Sequence, residues 1–275
     1  MICVKLDGGL GNQMFQYACA RNLAFSRNTD VAFDQTKLSE YSKNNYTSRK
    51  FALNIFNIQH NTIGLGKSAI FKPLIPKVIN YFSLKVYSRG IKVSNYFIED
   101  TLKYDSAINN VGKDCFIAGY WQSEKYFQPI ENIIREEYLF PNIVGQKNLK
   151  YLEKIKNSNS ISLHIRRGDY ANDFHDIHGM LPLTYYDQSI KYFSKILDEP
   201  YFYIFSDNIK WVKNNLKIDF SHDFIHWNTD KNSYLDMQLM SNCKHNIISN
   251  STFSWWGAWL NSNKEKTVIA PKMWF

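Results

Sequence analysis

The second half of the chain alternates short apolar segments with amphipathic segments. The apolar segments are SISLHI, YFYIFS, DFIHW, HNIIS and KTVIA, and the segments between them have apolar residues at helical spacing. Repeated strand–helix units form an open parallel sheet with helices on both faces. The N-terminus begins in the same way, with MICVKL, the turn DGGLGNQ and an apolar helix. We therefore predict an α/β fold with two domains, residues 1–155 and 156–275.

Polar side chains follow three of the predicted strands of the second half. They are Arg166, Arg167 and Asp169 after the first strand, Asp207 after the second, and Asn250, Ser251 and Thr252 after the fourth. Ligands of such sheets bind outside the carboxyl ends of the strands. Arginine presents a planar fork of donors that matches phosphate oxygens. The sequence predicts an anion site here, with one arginine facing the ligand and the other paired with Asp169.

Each of these motifs also has a purely structural interpretation. The segment SNSTFSWWGAW offers a helix N-terminus, which attracts anions, but Ser251 or Thr252 could simply cap that helix. Asp207 could bind a ribose or a guanine edge, or cap a helix. The tryptophans of this segment have helical spacing, which is typical of core residues.

The N-terminal glycine turn matches neither the dinucleotide-binding nor the P-loop pattern. Its glycines allow a ligand to approach the backbone closely, and Asn12 and Gln13 at the helix start could donate hydrogen bonds to it. The sequence has no D-x-D and no H-E-x-x-H. We expect no metal and no cofactor, with cationic side chains neutralising a diphosphate instead.

Charge is unevenly distributed along the chain. The formal net charge is +8, yet residues 41–98 contain nine Lys or Arg and no Asp or Glu. These cations lie among aromatic residues in the sequence. This composition is typical of a surface that contacts an anionic membrane, but it also fits an ordinary domain whose lysines are solvated. No nucleic-acid-binding signature occurs. The absence of a signal peptide, and of any run of about 18 apolar residues, predicts a cytoplasmic protein, peripheral to the membrane if the basic stretch binds it.

Five blocks in this order resemble the bacterial α-1,2-fucosyltransferases: GGLGNQMFQYA, GYWQSEKYF, HIRRGDY, FSD and DMQLMSNCKHNIISNSTFSWWGAWLN. The resemblance implies a glycosyltransferase B fold, with two Rossmann-like domains facing a cleft. It implies metal-independent, inverting transfer from GDP-β-L-fucose to the 2-hydroxyl of a galactose-terminated glycan, free or lipid-linked, as in O-antigen or lipopolysaccharide biosynthesis.

The resemblance also implies roles for individual residues. Arg166 would hold the β-phosphate, His164 and Asp207 would lie near the guanosine, and Asn12 would face the reacting centre. The other donor-side residues are Arg167, Asp169, Asn250, Ser251, Thr252 and Phe253, and the acceptor-side residues are Gly11, Gln13, Trp121 and Gln122. His178 is the candidate general base, although a structural loop histidine is an equal alternative.

Two other functions are compatible with the same residues. One is a glycosyltransferase that uses a different nucleotide-sugar donor. The other is a non-catalytic module that binds glycans or nucleic acid through its basic and aromatic residues.

Overall fold

The computed structural model describes residues 1–41, 50–58, 61–63, 96–167 and 180–274. The chain forms two compact units, Met1–Pro141 and Asn142–Phe275. Each unit has a five-stranded parallel sheet among its described residues. This confirms the predicted α/β class. Over the described ranges, no helix combines the length and apolarity needed to cross a bilayer.

The sheet of the first unit has its N-terminal strand at the centre, in the order β3-β2-β1-β5-β4. The strands are β1 (Ile2–Lys5), β2 (Val31–Asp34), β3 (Asn61–Ile63), β4 (Tyr96–Ile98) and β5 (Cys115–Ala118). The helices are α1 (Leu10–Ser26), α2 (Thr36–Tyr41) and α3 (Glu131–Glu137).

Helix α1 is almost entirely buried, as its apolar sequence predicts. Tyr17 packs edge-on against Phe33 of β2, and its hydroxyl donates to Glu137 of α3 over 2.8 Å. The Tyr138 hydroxyl donates to the Met14 carbonyl over 2.6 Å. These bonds satisfy the polar ends of buried aromatic side chains, so the rings contribute apolar burial without leaving a buried donor unpaired.

The second unit contains every strand and helix predicted for the second half. Its helices are α4 (Gln146–Lys156), α5 (Leu183–Ile196), α6 (Ile209–Asn215), α7 (Tyr234–Asn242) and α8 (Thr252–Leu260). Its strands are β6 (Asn159–Ile165), β7 (Pro200–Ser206), β8 (His222–Ile225), β9 (His245–Ile247) and β10 (Val268–Ile269), in the order β10-β9-β6-β7-β8.

Alternate residues of the central strands of this sheet enter two separate cores. Phe202 and Ile204 pack with Phe193 of α5, whereas Tyr203 and Phe205 pack with residues of α4 and α7. Helices therefore cover both faces, which explains why the strands read as nearly continuous apolar runs.

The boundary between the units lies earlier than the predicted 155/156. Helix α4 belongs to the second unit, because Ile155 enters that core and Asn148 accepts a hydrogen bond from the Trp227 indole over 2.7 Å.

Candidate functional site

The carboxyl ends of β6 and β7 are joined by an ion pair. Arg166 Nη1 lies 3.0 Å from Asp207 Oδ2, and both side chains are about one-fifth exposed at 22%. The Arg167 backbone N–H donates to Asp207 Oδ1 over 2.9 Å. One carboxylate thus fixes the exits of two neighbouring strands and leaves a guanidinium accessible at the sheet edge.

Arg167 is held by an aromatic ring. Its Cζ lies 3.4 Å from the centroid of the Trp211 ring, within cation–π range. The predicted pairing of an arginine with Asp169 lies outside the described residues, and the structure shows Asp207 as the Arg166 partner. Asp207 is not the helix cap either, because the Asn208 side chain caps α6 by accepting from the Trp211 N–H.

His164 lies in β6 and is only 5% exposed. Its Nδ1 is 2.8 Å from the Ser249 hydroxyl at the end of β9, and its ring lies 5.9 Å from that of Phe253. Burial, together with the charge of nearby Arg166, lowers the pKa of His164 to about 4, although Asp207 opposes the shift. The imidazole is therefore neutral at pH 7, and the positive charge of the site belongs to the arginines.

Helix α8 begins at the same edge, after β9. Asn250 and Ser251 are 5% and 8% exposed, and the Ser251 side chain makes no capping hydrogen bond although it occupies the N-cap position. Ordinary capping by Ser251 is thus excluded. Thr252 and Phe253, which form the first turn of α8, are partly exposed. The helix start offers its dipole to an anion at this edge.

The site therefore lies where the chain reverses direction across the sheet. From β6 the chain proceeds outward through β7 and β8, and then returns to the other side as β9 and β10. The carboxyl ends of the divergent strands β6 and β9 carry His164, Arg166 and Ser249. This topological switch point is where open α/β sheets bind their ligands.

In the first unit, the predicted residue Asn12 lies beside the glycine turn. Its Oδ1 accepts from Gln122 Nε2 over 3.3 Å, which brings two predicted site residues together. A Cβ on Gly8 would lie 2.4 Å from Asn12 Nδ2, and Gly8 has a φ of +78°. The turn thus needs glycine for its backbone conformation and to leave room for Asn12. Gly11 is buried in the first turn of α1.

Two predicted acceptor-side residues are fully buried. Gln13 is fully buried, and its amide donates to the carbonyls of Gly8 and Lys50 and accepts from the Ala52 N–H, each over 2.9 Å. Trp121 is also fully buried, where it packs against Phe97 and Tyr126. Each side chain is enclosed by the protein, and its predicted contact with the acceptor stays a prediction.

Asp169 and His178 lie outside the described residues, so their predicted roles stay predictions. The structure adds Trp211 and Ser249, which hold Arg167 and His164. Trp211 lies four residues after Asp207, about one helical turn. This spacing could have identified Trp211 as a residue near the site. Ser249 belongs to the segment already identified, but only the pairing of β6 with β9 places it against His164.

The sequence pattern of the family described as Glycosyl transferase family 11 matches residues 1–275. The chain belongs to this family. It is therefore an enzyme of glycosyl transfer from a family of fucosyltransferases, and the non-catalytic binding module is not favoured.

Curated relatives match over nearly the whole chain. An alpha-1,2-colitosyltransferase of Escherichia coli is 37% identical, over 100% of this chain and 92% of its own length. The O-antigen biosynthesis glycosyltransferase WbnK of Escherichia coli is 33% identical, over 98% and 93%. Galactoside alpha-(1,2)-fucosyltransferase 2 of Hylobates lar is 25% identical, over 94% and 69%.

Solved structures of fucosyltransferases share the fold at low sequence identity. NodZ from Bradyrhizobium superposes with a TM-score of 0.51 at 11% identity, covering 93% of this chain and 91% of NodZ. A mutant of Arabidopsis thaliana FUT1 in complex with GDP gives 0.51 at 12%, covering 99% and 71%. The predicted glycosyltransferase B class, with two Rossmann-like units, is confirmed.

Proposed function

We propose that this family 11 enzyme transfers L-fucose from GDP-β-L-fucose to the 2-hydroxyl of a galactose-terminated glycan. The observation that carries the proposal is the cationic switch point of the second unit, where Arg166, Arg167 and the start of α8 meet. Such an edge suits a nucleoside diphosphate. The relatives named as α-1,2-transferases support the linkage, and WbnK supports a place in O-antigen biosynthesis.

The leaving group explains why a guanidinium is needed. As the bond between the sugar and the diphosphate breaks, negative charge grows on the β-phosphate, and a preorganised cation lowers that barrier. Arg166 is the residue for this role because Asp207 fixes its position. The Arg166 side chain is 22% exposed at the carboxyl end of β6, where a phosphate can reach it.

We propose that transfer occurs by a single displacement with inversion. The acceptor hydroxyl attacks the anomeric carbon from the face opposite GDP and loses its proton to a base, giving an α linkage. His178 is the base we propose on the sequence. Buried His164 is unsuited to this role, because a pKa of about 4 makes it a weak base at neutral pH.

The test is a donor screen with galactoside acceptors. Purified enzyme is dialysed against EDTA and assayed with GDP-fucose, GDP-colitose, GDP-mannose and UDP-sugars, with product linkage determined by NMR. We expect α-1,2-fucosylated product without added metal, because the arginines supply the positive charge. Loss of activity with EDTA and recovery with Mn²⁺ would refute metal independence. If the enzyme prefers GDP-colitose, the donor sugar is colitose and not fucose. The similarity to a colitosyltransferase makes this the specific alternative.

We also propose that residues 41–98 contact an anionic membrane surface, as their nine cations among aromatic residues suggest. Most of this stretch lies outside the described residues. The protein should sediment with anionic vesicles but not with neutral ones, and only at low salt. Changing Lys72, Lys77 and Lys85 to Glu should weaken the binding.

A charge-matched control distinguishes membrane binding by this stretch from attraction by the net charge of the whole protein. Changing Lys191, Lys195 and Lys217, which are exposed in the second unit, to Glu removes the same charge elsewhere. Equal losses in both triple variants, or equal binding to both vesicle types, would refute a dedicated membrane surface.

A further inference from the structure

The second unit has a cavity at the amino edge of its sheet, opposite the edge that carries Arg166. The cavity has a volume of 580 Å³ and is lined by residues at the starts of four neighbouring strands, β9, β6, β7 and β8. Small-ligand sites of proteins have volumes of about 300–1,000 Å³. Strand β6 is seven residues long, so about 20 Å separate this cavity from the carboxyl edge. The cavity is therefore distinct from the site that suits the diphosphate.

Four polar side chains of the lining have no hydrogen bond or ion pair with any residue that the structure describes. All four residues are exposed. They are Asn157, Glu199, Asp219 and Ser221. Lys244 also lines the cavity, and among the described residues its ammonium donates only to Asn159 Oδ1, over 2.9 Å, although it has three N–H groups. These side chains can bond a ligand without breaking a contact of the fold.

Two aromatic residues contribute apolar surface to the same cavity. Phe220 is 36% exposed, and Tyr201 lines the cavity beside it. The Tyr201 hydroxyl donates to Asp223 Oδ2 over 2.8 Å and accepts from Lys154 Nζ over 3.2 Å. Its hydrogen-bonding capacity is therefore used within the protein, and Tyr201 offers a ligand only the surface of a ring whose position is fixed.

The backbone of the cavity is strained at Glu199. Its φ is +46°, in the left-handed region that residues other than glycine rarely occupy. The next residue, Pro200, begins β7 and also lines the cavity. Backbone strain persists only where the surrounding structure maintains it, and it is concentrated at functional sites. The strained turn places an exposed carboxylate in the lining.

The charges of the lining indicate the class of ligand. Glu199 and Asp219 carry two negative charges against the single positive charge of Lys244, which disfavours a phosphate. Two carboxylates are also few for a metal ion, and the described residues contain no group of three or more acidic, histidine or cysteine side chains that could hold one.

A neutral ligand rich in hydroxyl groups fits the lining better. Carboxylates accept hydrogen bonds from hydroxyls, and an ammonium donates to them. Aromatic rings such as Phe220 pack against apolar C–H surface. Sugar rings combine both features, because their hydroxyls lie around the edge and their C–H groups lie on the faces.

We propose that this cavity is a non-catalytic binding site for a neutral glycan, whose hydroxyls bond to Glu199, Asp219 and Lys244 and whose C–H faces pack against Phe220. The choice of glycan as the ligand rests on the proposed function. A glycan held here raises the local concentration of its free ends around the enzyme. Transfer itself does not require the cavity, because the cationic edge lies at the other end of the strands.

Hydrogen–deuterium exchange measures binding at the cavity without requiring turnover. The full chain, saturated with GDP, is titrated with lacto-N-tetraose, a neutral galactose-terminated tetrasaccharide. Amide exchange should slow in peptides that cover residues 157–159, 199–202 and 219–222. The glycan concentration that gives half of this protection is the measured quantity.

The double variant Glu199→Ala with Asp219→Ala should raise that concentration about 10-fold or more, because hydrogen bonds to charged groups are lost. The control changes Glu153 and Glu265 to Ala. Both are exposed in the same unit and outside the cavity, so this variant loses the same charge and should bind as wild type.

Glu199→Gly keeps the test decisive if the double variant does not fold. Glycine occupies a positive φ without strain, so this change removes the carboxylate and relieves the backbone at once. We expect weaker binding of lacto-N-tetraose, about threefold to tenfold, in a protein at least as resistant to urea as the wild type. Binding equal to that of the wild type in both cavity variants would overturn the proposal.

Steady-state kinetics separate this proposal from the proposed function. With GDP-fucose as donor, the kcat and KM for methyl β-D-galactopyranoside should be the same in the cavity variants as in the wild type. A KM that rises in parallel with the loss of protection would show that the cavity belongs to the site of transfer, and the proposal would be wrong. Fucosyl transfer without protection of the cavity would overturn the glycan site alone. Protection that depends on Glu199 and Asp219, without fucosyl transfer, would support the glycan site and overturn the transferase proposal.

Discussion

The two units share the order of their first three strands, with the first strand at the centre, but differ in the charge of the residues at their switch points. Each sheet has its first strand at the centre, and a neighbour on one side that belongs to the returning part of the chain. The exits in the second unit carry Arg166 and Arg167, whereas those in the first carry Asp7 and Glu99. A few side chains after the strands therefore give each switch point a different charge.

The two switch points also differ in how their strand exits are fixed. In the second unit a charged pair, Arg166 with Asp207, does this, so the residue that binds the ligand is also part of the scaffold. In the first unit a neutral amide, Gln16, bridges the strands, and Asp7 is tied to the scaffold by its backbone. A substitution at the switch point of the second unit should therefore change both the backbone geometry and the charge there. At the switch point of the first unit, a substitution can change the charge and leave the backbone geometry intact.

The largest expected effect is at the cationic site. Arg166→Ala should lower the turnover of transfer by about 100-fold or more, because one preorganised charge donor is lost from the transition state. Arg166→Lys should recover only part of this, because the planar fork is absent. Initial rates at saturating substrates measure the effect, and circular dichroism reports the fold. If Arg166→Ala keeps more than about a tenth of wild-type turnover, the phosphate role is wrong.

The glycine turn of the first unit tests whether Asn12 is placed for function. Gly8→Ala and Gly145→Ala both put a side chain at a positive φ, +78° and +86°, and each should lose about 1–2 kcal/mol of stability. Only at Gly8 does the new Cβ collide with Asn12, at 2.4 Å; at Gly145 the nearest atom is 3.7 Å away.

Gly8→Ala should therefore lose more stability than Gly145→Ala, and its rate of transfer, compared at equal fractions of folded enzyme, should be about 10-fold lower. Urea unfolding and initial rates supply the two measurements. Equal activities in the two variants would show that Asn12 has no part in the reaction.

His164 makes the stability of the second unit depend on pH. Its folded pKa of about 4 lies below the unfolded value of 6.5, so the unfolded state binds more protons in between. The contribution of His164 is thus fully present above pH 6.5 and is lost as the pH drops towards 4, by on the order of 3 kcal/mol. His164→Asn should remove this contribution and exposed His226→Asn should preserve it, while the pKa of Asp236, raised to about 7, contributes with the opposite sign in all three proteins. Urea titrations between pH 4 and 8 measure the free energy of unfolding. If its slope against pH is the same in His164→Asn as in the wild type, the assignment to His164 is wrong.

The smallest expected effect concerns the ring beneath Arg167. Trp211→Leu removes a cation–π contact of about 0.5–1 kcal/mol, and GDP affinity should fall about threefold to fivefold. Trp227→Leu is the control, since Trp227 has a cation over its ring, Lys147 Nζ at 3.8 Å, and belongs to the same unit. That variant should lose stability but keep its affinity for GDP. Calorimetry measures the affinity of both variants for GDP. If Trp211→Leu and Trp227→Leu lose affinity equally, Trp211 has no specific role at the site.

Strand and helix order followed from the sequence because the signals are local. SISLHI and YFYIFS had to be buried strands whatever their neighbours, and the residues after them had to lie at the carboxyl edge. The anion site could be predicted for this reason: Arg166 and Asp207 each follow directly after a strand, and Ser251 lies four residues after the end of β9. The assignment of α4 to the first domain failed because the packing of Asn148 and Ile155 is not encoded in local spacing.

Side-chain partnerships were decided only by the tertiary structure. Asp207 and Arg166 are 41 positions apart in sequence, and Asp7 and Tyr120 are more than one hundred apart, so only the strand order brings each pair together. Gln13 looked like a ligand contact because it follows a glycine turn, yet folding surrounds it with backbone groups. The sequence alone determined the α/β class, the family and the cationic edge. The partners, the burial of Gln13 and Trp121, and the cavity at the amino edge of the second sheet required the fold, because hydrogen bonds and exposure depend on which distant segments pack together.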